Sequence, residues 1–209
     1  DSTAKLWEAR TGQLIATLSG HSAAVEAVAF TPDGRYLLTG SLDRSIRLWD
    51  GNTGAFVKVL TRTDAGVSSL SVAPDGHSVV TGCAEGRFEN RVISIPDGKL
   101  VTRFGGHDNI VLATSTSPNG KWAATAGGSD FGIALWDLKT GREKLHLSGH
   151  GATVWSVGFS ADGNQVAFGN RFDQKGQTEY QLNGPLQHGF VIGSQGPAFG
   201  YHSELSSDL

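Results

Sequence analysis

One period, repeated along the chain, constrains what these residues can build more than any other feature. Gly-His recurs in phase at 20–21, 106–107 and 149–150, with steps of 86 and 43 residues; a further Gly-His, at 76–77, belongs to a turn. Turn tripeptides keep the same spacing. Pro32-Asp33-Gly34, Pro74-Asp75-Gly76, Pro118-Asn119-Gly120 and Ala161-Asp162-Gly163 follow one another at 42, 44 and 43 residues. Leu-Trp followed by an acid stands at Leu6-Trp7-Glu8, Leu48-Trp49-Asp50 and Leu135-Trp136-Asp137. Five residues after each Trp comes a glycine: Gly12, Gly54 and Gly141. Three independent markers on one period mean serial copies of a supersecondary unit. Such a unit is too small to bury its own apolar face, so neighbours must stack.

Phase locates the markers that are missing. Gly98 lies eight residues before Gly106, as Gly12 lies eight before Gly20, which puts Ile93 where a Trp is expected. Arg62-Thr63 stand where Gly-His is expected, so the repeat over 61–98 is present but degenerate. Within a period the succession is strand, turn, strand. Val25–Phe30 is rich in β-formers and runs into Thr31-Pro32-Asp33-Gly34, where Pro presets φ and Gly supplies φ > 0. Tyr36–Gly40, Ser45–Trp49 and Ala55–Leu60 complete four strands of about 5 or 6 residues. No window sustains a 3.6-residue periodicity over about three turns, so helix is expected to be nearly absent. The 29 glycines among 209 residues then have a cause, several turns in every period.

The succession Gly20-His21, Pro32-Asp33-Gly34, Asp43 and Trp49-Asp50 resembles the signature of WD-repeat β-propellers, over residues 1 to about 170. The resemblance implies an all-β propeller segment of about four and a half four-stranded blades, packed radially around a channel. The phase divides it into 1–18 (the last two strands of a preceding blade), 19–60, a degenerate blade over 61–104, 105–148, a divergent blade over 149–194, and 195–209 as a tail or the start of a further blade. Asp1 stands six residues before Trp7, as Asp43 stands before Trp49, so the chain is expected to open inside a blade. The absence of Met agrees with a part of something longer. Rings of this family usually close with about seven blades, so the others are expected from the rest of the polypeptide or another chain.

In that family the His of Gly-His, a second-strand hydroxyl, the turn Asp and the third-strand Trp form a hydrogen-bonded network. Carried over, His21, Thr39, Asp43 and Trp49 make the most complete set. His107, Asp130 and Trp136 make a second, one hydroxyl short because Ala126 stands where Thr is expected, and His150 belongs to a third. A His-Asp-Thr group also invites a catalytic reading. Its recurrence at a fixed period favours the structural one: a satisfied buried network fixes one arrangement of the turns, whereas a catalytic triad is a single convergent geometry. No catalytic residue is assigned.

Other chemistry is thinly represented. Cys83 sits in a strand context and reads as a small buried hydrophobe. No His-Glu-x-x-His, Cys-x-x-Cys, Walker-type or Gly-x-Ser-x-Gly spacing occurs. Gly127-Gly128-Ser129-Asp130-Phe131-Gly132 resembles a phosphate loop, but no helical segment follows it, so it reads as a turn. Three of the seven His belong to the periodic Gly-His pairs at 20–21, 106–107 and 149–150, and neither a metal site nor a cofactor is assigned. Seventeen Lys and Arg against 20 Asp and Glu give no reason to expect nucleic acid or anionic lipid as a partner. No apolar run approaches the ~18 residues of a spanning helix, and no leader-like segment opens the chain. One Cys cannot make a disulfide within the chain, and an intracellular, cytoplasmic location is the expectation.

What is left is recognition. The chain is expected to be a non-catalytic protein–protein interaction platform, a WD-repeat scaffold within a larger protein or complex. By the family resemblance, the partner face lies near the Gly-His loops. It would use the start of each first strand and the residue before each turn Asp: Glu26 and Leu42, Ser68 and Ala84, Ile110 with Leu112 and Ser129, and Thr153 with Trp155. Apolar side chains at such positions suggest a patch centred on Trp155 and Leu112. The competing reading tucks them into the channel wall. After Gly169 the signature fades. Arg171–Gly176 begins like a turn, Gln177–Leu182 alternates as a strand should, Asn183-Gly184-Pro185 is a turn, and His188–Gly193 reads as a final strand. Residues 168–193 resemble a divergent blade of WD-repeat arrays attached to caspase-like proteases. The alternative is therefore a sensor or regulatory propeller of such a multidomain effector.

Overall fold

The computed structural model describes residues 1–85, 88–127, 132–150, 153–170, 179–182 and 203–204; within 148–150, 170, 179–182 and 203–204 it describes the strand path alone. Every regular element among them is a strand. Five antiparallel sheets follow one another along the chain. The first pairs β1 (Ala4–Trp7) with β2 (Leu14–Leu18). The second is β3 (Val25–Phe30), β4 (Tyr36–Ser41), β5 (Ser45–Asp50) and β6 (Phe56–Arg62). The third is β7 (Val67–Val72), β8 (Ser78–Cys83), β9 (Asn90–Ser94) and β10 (Leu100–Phe104). The fourth is β11 (Val111–Thr116), β12 (Trp122–Gly127), β13 (Gly132–Asp137) and β14 (Glu143–His150). The fifth begins with β15 (Val154–Phe159) and β16 (Gln165–Asn170). The architecture is an all-β propeller segment, an open series of blades among the described residues.

Two short strands complete the description. β17 (Glu179–Leu182) adds to the outer edge of β14, in the fourth sheet, and β18 (Ser203–Glu204) pairs with β16. The sequence grouped Gln177–Leu182 with the fifth unit; the strand there joins the unpaired edge that β14 offers, as exposed edges invite. Arg171–Gly176, Asn183-Gly184-Pro185 and His188–Gly193 lie outside the described residues.

The strands meet where side chains replace water at the turns. Asp33 Oδ1 accepts from the Thr31 hydroxyl at 2.6 Å and from the Arg35 N–H at 3.0 Å, while Thr31 Oγ1 accepts the Tyr36 N–H at 3.0 Å. The same bonds recur around Ser117 and Asn119, and around Ser160 and Asp162. The turn glycine must follow with positive φ, and Gly34, Gly76, Gly120 and Gly163 do so at 70°, 74°, 67° and 77°. The turn between the third and fourth strands closes on Asp50, whose Oδ1 accepts from the Thr53 N–H and hydroxyl at 2.8 Å each, with Asp137 and Thr140 repeating the arrangement.

The core lies between successive sheets. Leu38, Ile46 and Leu48 of the second sheet pack on Val67, Val79 and Ile93 of the third. Val80, Val92 and Phe104 of the third meet Ala123, Ala134 and Trp136 of the fourth, where the Phe104 and Trp136 rings stack at 5.3 Å. Ala126, Ile133 and Leu147 meet Val154 and Phe168 of the fifth. Strand β12 is buried along its whole length because a sheet covers each of its faces. Each such Leu or Ile removed from water contributes on the order of 2 kcal/mol. The inner strands are also tied by polar contacts. The Ser68 hydroxyl donates to the Val111 carbonyl, and the Thr116 hydroxyl donates to that of Val72 at 2.9 Å.

Candidate functional site

The network around His21 is closed and directional. Trp49 Nε1–H donates to Thr39 Oγ1 at 2.9 Å, and Thr39 Oγ1 lies 2.7 Å from His21 Nε2. The ionised Asp43 carboxylate only accepts, and its Oδ2 lies 2.8 Å from His21 Nδ1, so Nδ1 carries the imidazole proton. In the neutral ring Nε2 is then the acceptor, and the Thr39 hydroxyl donates to it while taking the Trp49 N–H on a lone pair. Asp43 also accepts from the Ser45 hydroxyl at 2.6 Å and the Ser22 N–H at 3.0 Å. Burial pushes the Asp43 carboxyl up, but the bonds from Ser45, His21 and Ser22 outweigh it and hold the group at about 2. Thr39 is fully buried and both sides of its hydroxyl are committed, so it is not placed to attack a substrate. The arrangement pins the second sheet's loops to its third strand.

A second copy exists in the fourth sheet with a different hydroxyl from the one anticipated. Thr125 Oγ1 lies 2.9 Å from His107 Nε2 and accepts from Trp136 Nε1 at 3.1 Å. Ala126 instead pairs across to Ile133 and packs in the apolar cluster against the fifth sheet. The expected gap at Ala126 is therefore corrected. The connection between β12 and β13 is one residue longer than its counterpart in the second sheet. Counting back from Trp136 misplaced the hydroxyl, whereas counting forward from His107 reaches Thr125. Asp130, Ser129 and the His150 side chain lie outside the described residues. At the chain's start, Asp1 Oδ1 accepts the Thr3 N–H and hydroxyl at 2.9 Å each, as Asp43 does from Ser45, and the Asp1 carbonyl accepts the Val25 N–H at 2.8 Å.

The end of the sheets near these networks presents the other predicted side chains, and a backbone device positions four of them. The register of each inner pair slips once: between Val25 and Ala27, Val67 and Ser69, Val111 and Ala113, and Val154 and Ser156. The residues passed over are Glu26, Ser68, Leu112 and Trp155. A β-bulge leaves its extra residue out of the ladder and re-aims the side chain. Periodicity alone could not show this, because the strands read as plain alternation. Glu26, Ser68 and Leu112 share an open hollow of about 410 Å³ with Leu42, Ala84, Ile110 and Glu85. Glu85 was missed by sequence reasoning. It follows β8 and pairs with Arg44 at 3.0 Å. Trp155 is 53% exposed and does not line the hollow; Thr153 is half-buried.

In the degenerate third sheet, charged side chains gather beside Thr63, the residue that stands in the His place. Arg91 donates to Asp64 and to Glu89, and Arg103 donates to Glu89 at 3.3 Å. Ile93 pairs with Val79, as Trp49 pairs with Leu37. Cys83 is buried beside this group, and burial pushes its thiol up to about 11, which removes it as a nucleophile near neutrality. Among the described residues no three His, Cys, Asp or Glu side chains gather as a metal ion would need.

Comparison with known proteins agrees with this architecture. Residues 12–50, 54–88, 98–137 and 141–174 match the family described as WD40, WD domain, G-beta repeat. Pre-mRNA-processing factor 19 of Oryza sativa subsp. japonica is 29% identical over 170 residues, covering 80% of this chain and 32% of that protein. Transcriptional repressor rco-1 of Neurospora crassa is 37% identical over 60 residues, 29% of this chain and 10% of that one. Nuclear distribution protein PAC1 of Tuber melanosporum is 52% identical over 46 residues, covering 22% and 10%. The chain thus spans roughly a tenth to a third of the length of these curated relatives. A solved structure, the WD40 beta propeller domain of Doa1, superposes with a TM-score of 0.70 at 23% identity, over 81% of this chain and 54% of that one. That likeness shows the fold. The matched segments span most of the chain and carry its turns, its glycines and its buried Trp residues, and so the chain belongs to the WD40 family, whose repeats generally build non-catalytic scaffolds for protein interaction.

Proposed function

We propose that this segment is a binding platform for protein partners, without chemistry of its own, and that it works as part of a larger protein or complex supplying the remaining blades. The docking face on this reading is the end where the four bulges open, centred on Trp155 and Leu112. The observation that carries it is the bulge itself. The same slot in four successive sheets holds a side chain outside the ladder, free of any packing duty in its own sheet. A Trp left 53% exposed in one of those slots is the kind of side chain that anchors interfaces. An intracellular, cytoplasmic setting accompanies this reading, in keeping with one buried, unreactive Cys.

The test compares partner affinity of the full-length protein with that of Trp155→Ala and Leu112→Ala, using Leu100→Ala as a change at an exposed apolar site at the end of β10 away from Gly106-His107. Trp155→Ala is expected to weaken binding by about 2 kcal/mol, roughly 30-fold. Leu100→Ala should bind as before. Unchanged affinity of a folded Trp155→Ala protein would remove the face from consideration.

A further inference from the structure

The hollow beside Leu112 has a chemical preference that a general docking face does not. Its walls are apolar on two sides, from Leu42, which is 40% exposed, and from half-buried Ile110 and Leu112. Two carboxylates reach it, Glu26 and Glu85. Glu85 is neutralised by Arg44 at 3.0 Å. Glu26 is exposed, stands in a bulge slot, and makes no ion pair among the described residues. Among the described residues the unbalanced charge of the hollow is therefore one negative carboxylate set against hydrocarbon. Its volume of about 410 Å³ sits at the low end for a ligand pocket, room for one or two side chains rather than a folded surface. The walls belong to three sheets already fixed to each other: Leu38 and Ile46 of the second pack on Val67 of the third, and the Ser68 hydroxyl of the third donates to the Val111 carbonyl of the fourth. The hollow is thus formed before anything enters, which lowers the ordering cost of binding.

We propose that the hollow takes a single cationic side chain, Arg or Lys, from a partner polypeptide segment, with an apolar neighbour of that residue lying against Leu42, Ile110 and Leu112. The cation meets the Glu26 carboxylate, and its methylene stem runs along the apolar wall, the division of labour that suits long basic side chains. This rests on the platform reading above and narrows it to one class of partner segment.

The experiment selects random heptapeptides by display against the full chain, then measures the recovered peptides by fluorescence polarisation. Recovered sequences are expected to be enriched in Arg or Lys next to Leu, Ile or Phe. Glu26→Gln should weaken them about tenfold, the scale of one charge-assisted hydrogen bond. Glu26→Lys should abolish them, and exchanging the peptide's cation for Glu should restore binding to that variant. Circular dichroism confirms that each variant is folded. Peptides that lose affinity on Leu112→Ala but ignore Glu26→Gln would overturn the cation preference and leave the platform standing. Peptides indifferent to Leu112→Ala, Trp155→Ala and Glu26→Gln alike, or a selection that recovers none, would count against both.

Discussion

At Thr39 a single hydroxyl answers two buried partners, and the titration of Asp43 depends on the same knot. In the unfolded chain this carboxyl titrates near its ordinary value of 3.8, whereas in the fold it holds its charge down to about 2. Its contribution to stability is therefore fully present above pH ~4 and is lost as pH falls towards 2. Urea midpoints measured from about pH 5 to 2 should fall in that window, and Asp43→Asn should start lower and flatten there. Parallel curves for the two proteins would show that Asp43 is not a source of the acid limb. Asn90 is a contrasting case. It is fully buried, and neither its amide nitrogen nor its amide oxygen has a partner among the described residues. In the same register the second and fourth sheets carry Ile46 and Ile133. Asn90→Ile should stabilise the protein by about 1–3 kcal/mol, because an unpaired buried amide is costly and the apolar replacement packs as its counterparts do. A lower urea midpoint for Asn90→Ile would mean that water or another group satisfies Asn90 in solution.

Between strands, the spacing of sheets is set by residues with no side chain. A Cβ on Gly82 would stand 2.2 Å from Ser69 Oγ and 2.7 Å from the Val111 carbonyl oxygen of the next sheet. Gly82→Ala should therefore force the third and fourth sheets apart at a cost of about 1–3 kcal/mol, while Gly158→Ala, with nothing within 4 Å, should be close to neutral. Equal urea midpoints for the two would show that the interface yields freely. The elements were legible in the sequence because turn chemistry recurs with them: Thr31, Asp33 and Gly34 announce both strands they join, and His21, Asp43 and Trp49 announce the knot above. Two things were not legible. A residue inserted in a loop shifts every count made across it, which is why Thr125 was overlooked for Ala126. A bulge keeps alternation nearly intact while it turns one side chain outward, so Glu26, Ser68, Leu112 and Trp155 could be placed only by resemblance.

Over the whole chain, each sheet owes its burial to its neighbours on either side, so stability is expected to grade with the cover each strand has. Amide exchange should be slowest in β4, β8 and β12, which are buried from both faces, and faster in the outer strands β6 and β10, which are more exposed. Protection in β10 equal to that in β12 would mean that each sheet opens as one unit. The repeated bulge carries a consequence on a longer scale than folding. Because the bulged position makes no ladder bond, exchanging its side chain leaves the sheet's own wiring intact, and the four present occupants are an acid, an alcohol, an aliphatic and an indole. Such a surface can be rewritten one character at a time at Glu26, Leu112 and Trp155, while Ser68 also ties the third sheet to the fourth: a lineage that duplicates blades also duplicates slots, and new specificities can be spelled out wherever the occupant carries no such tie.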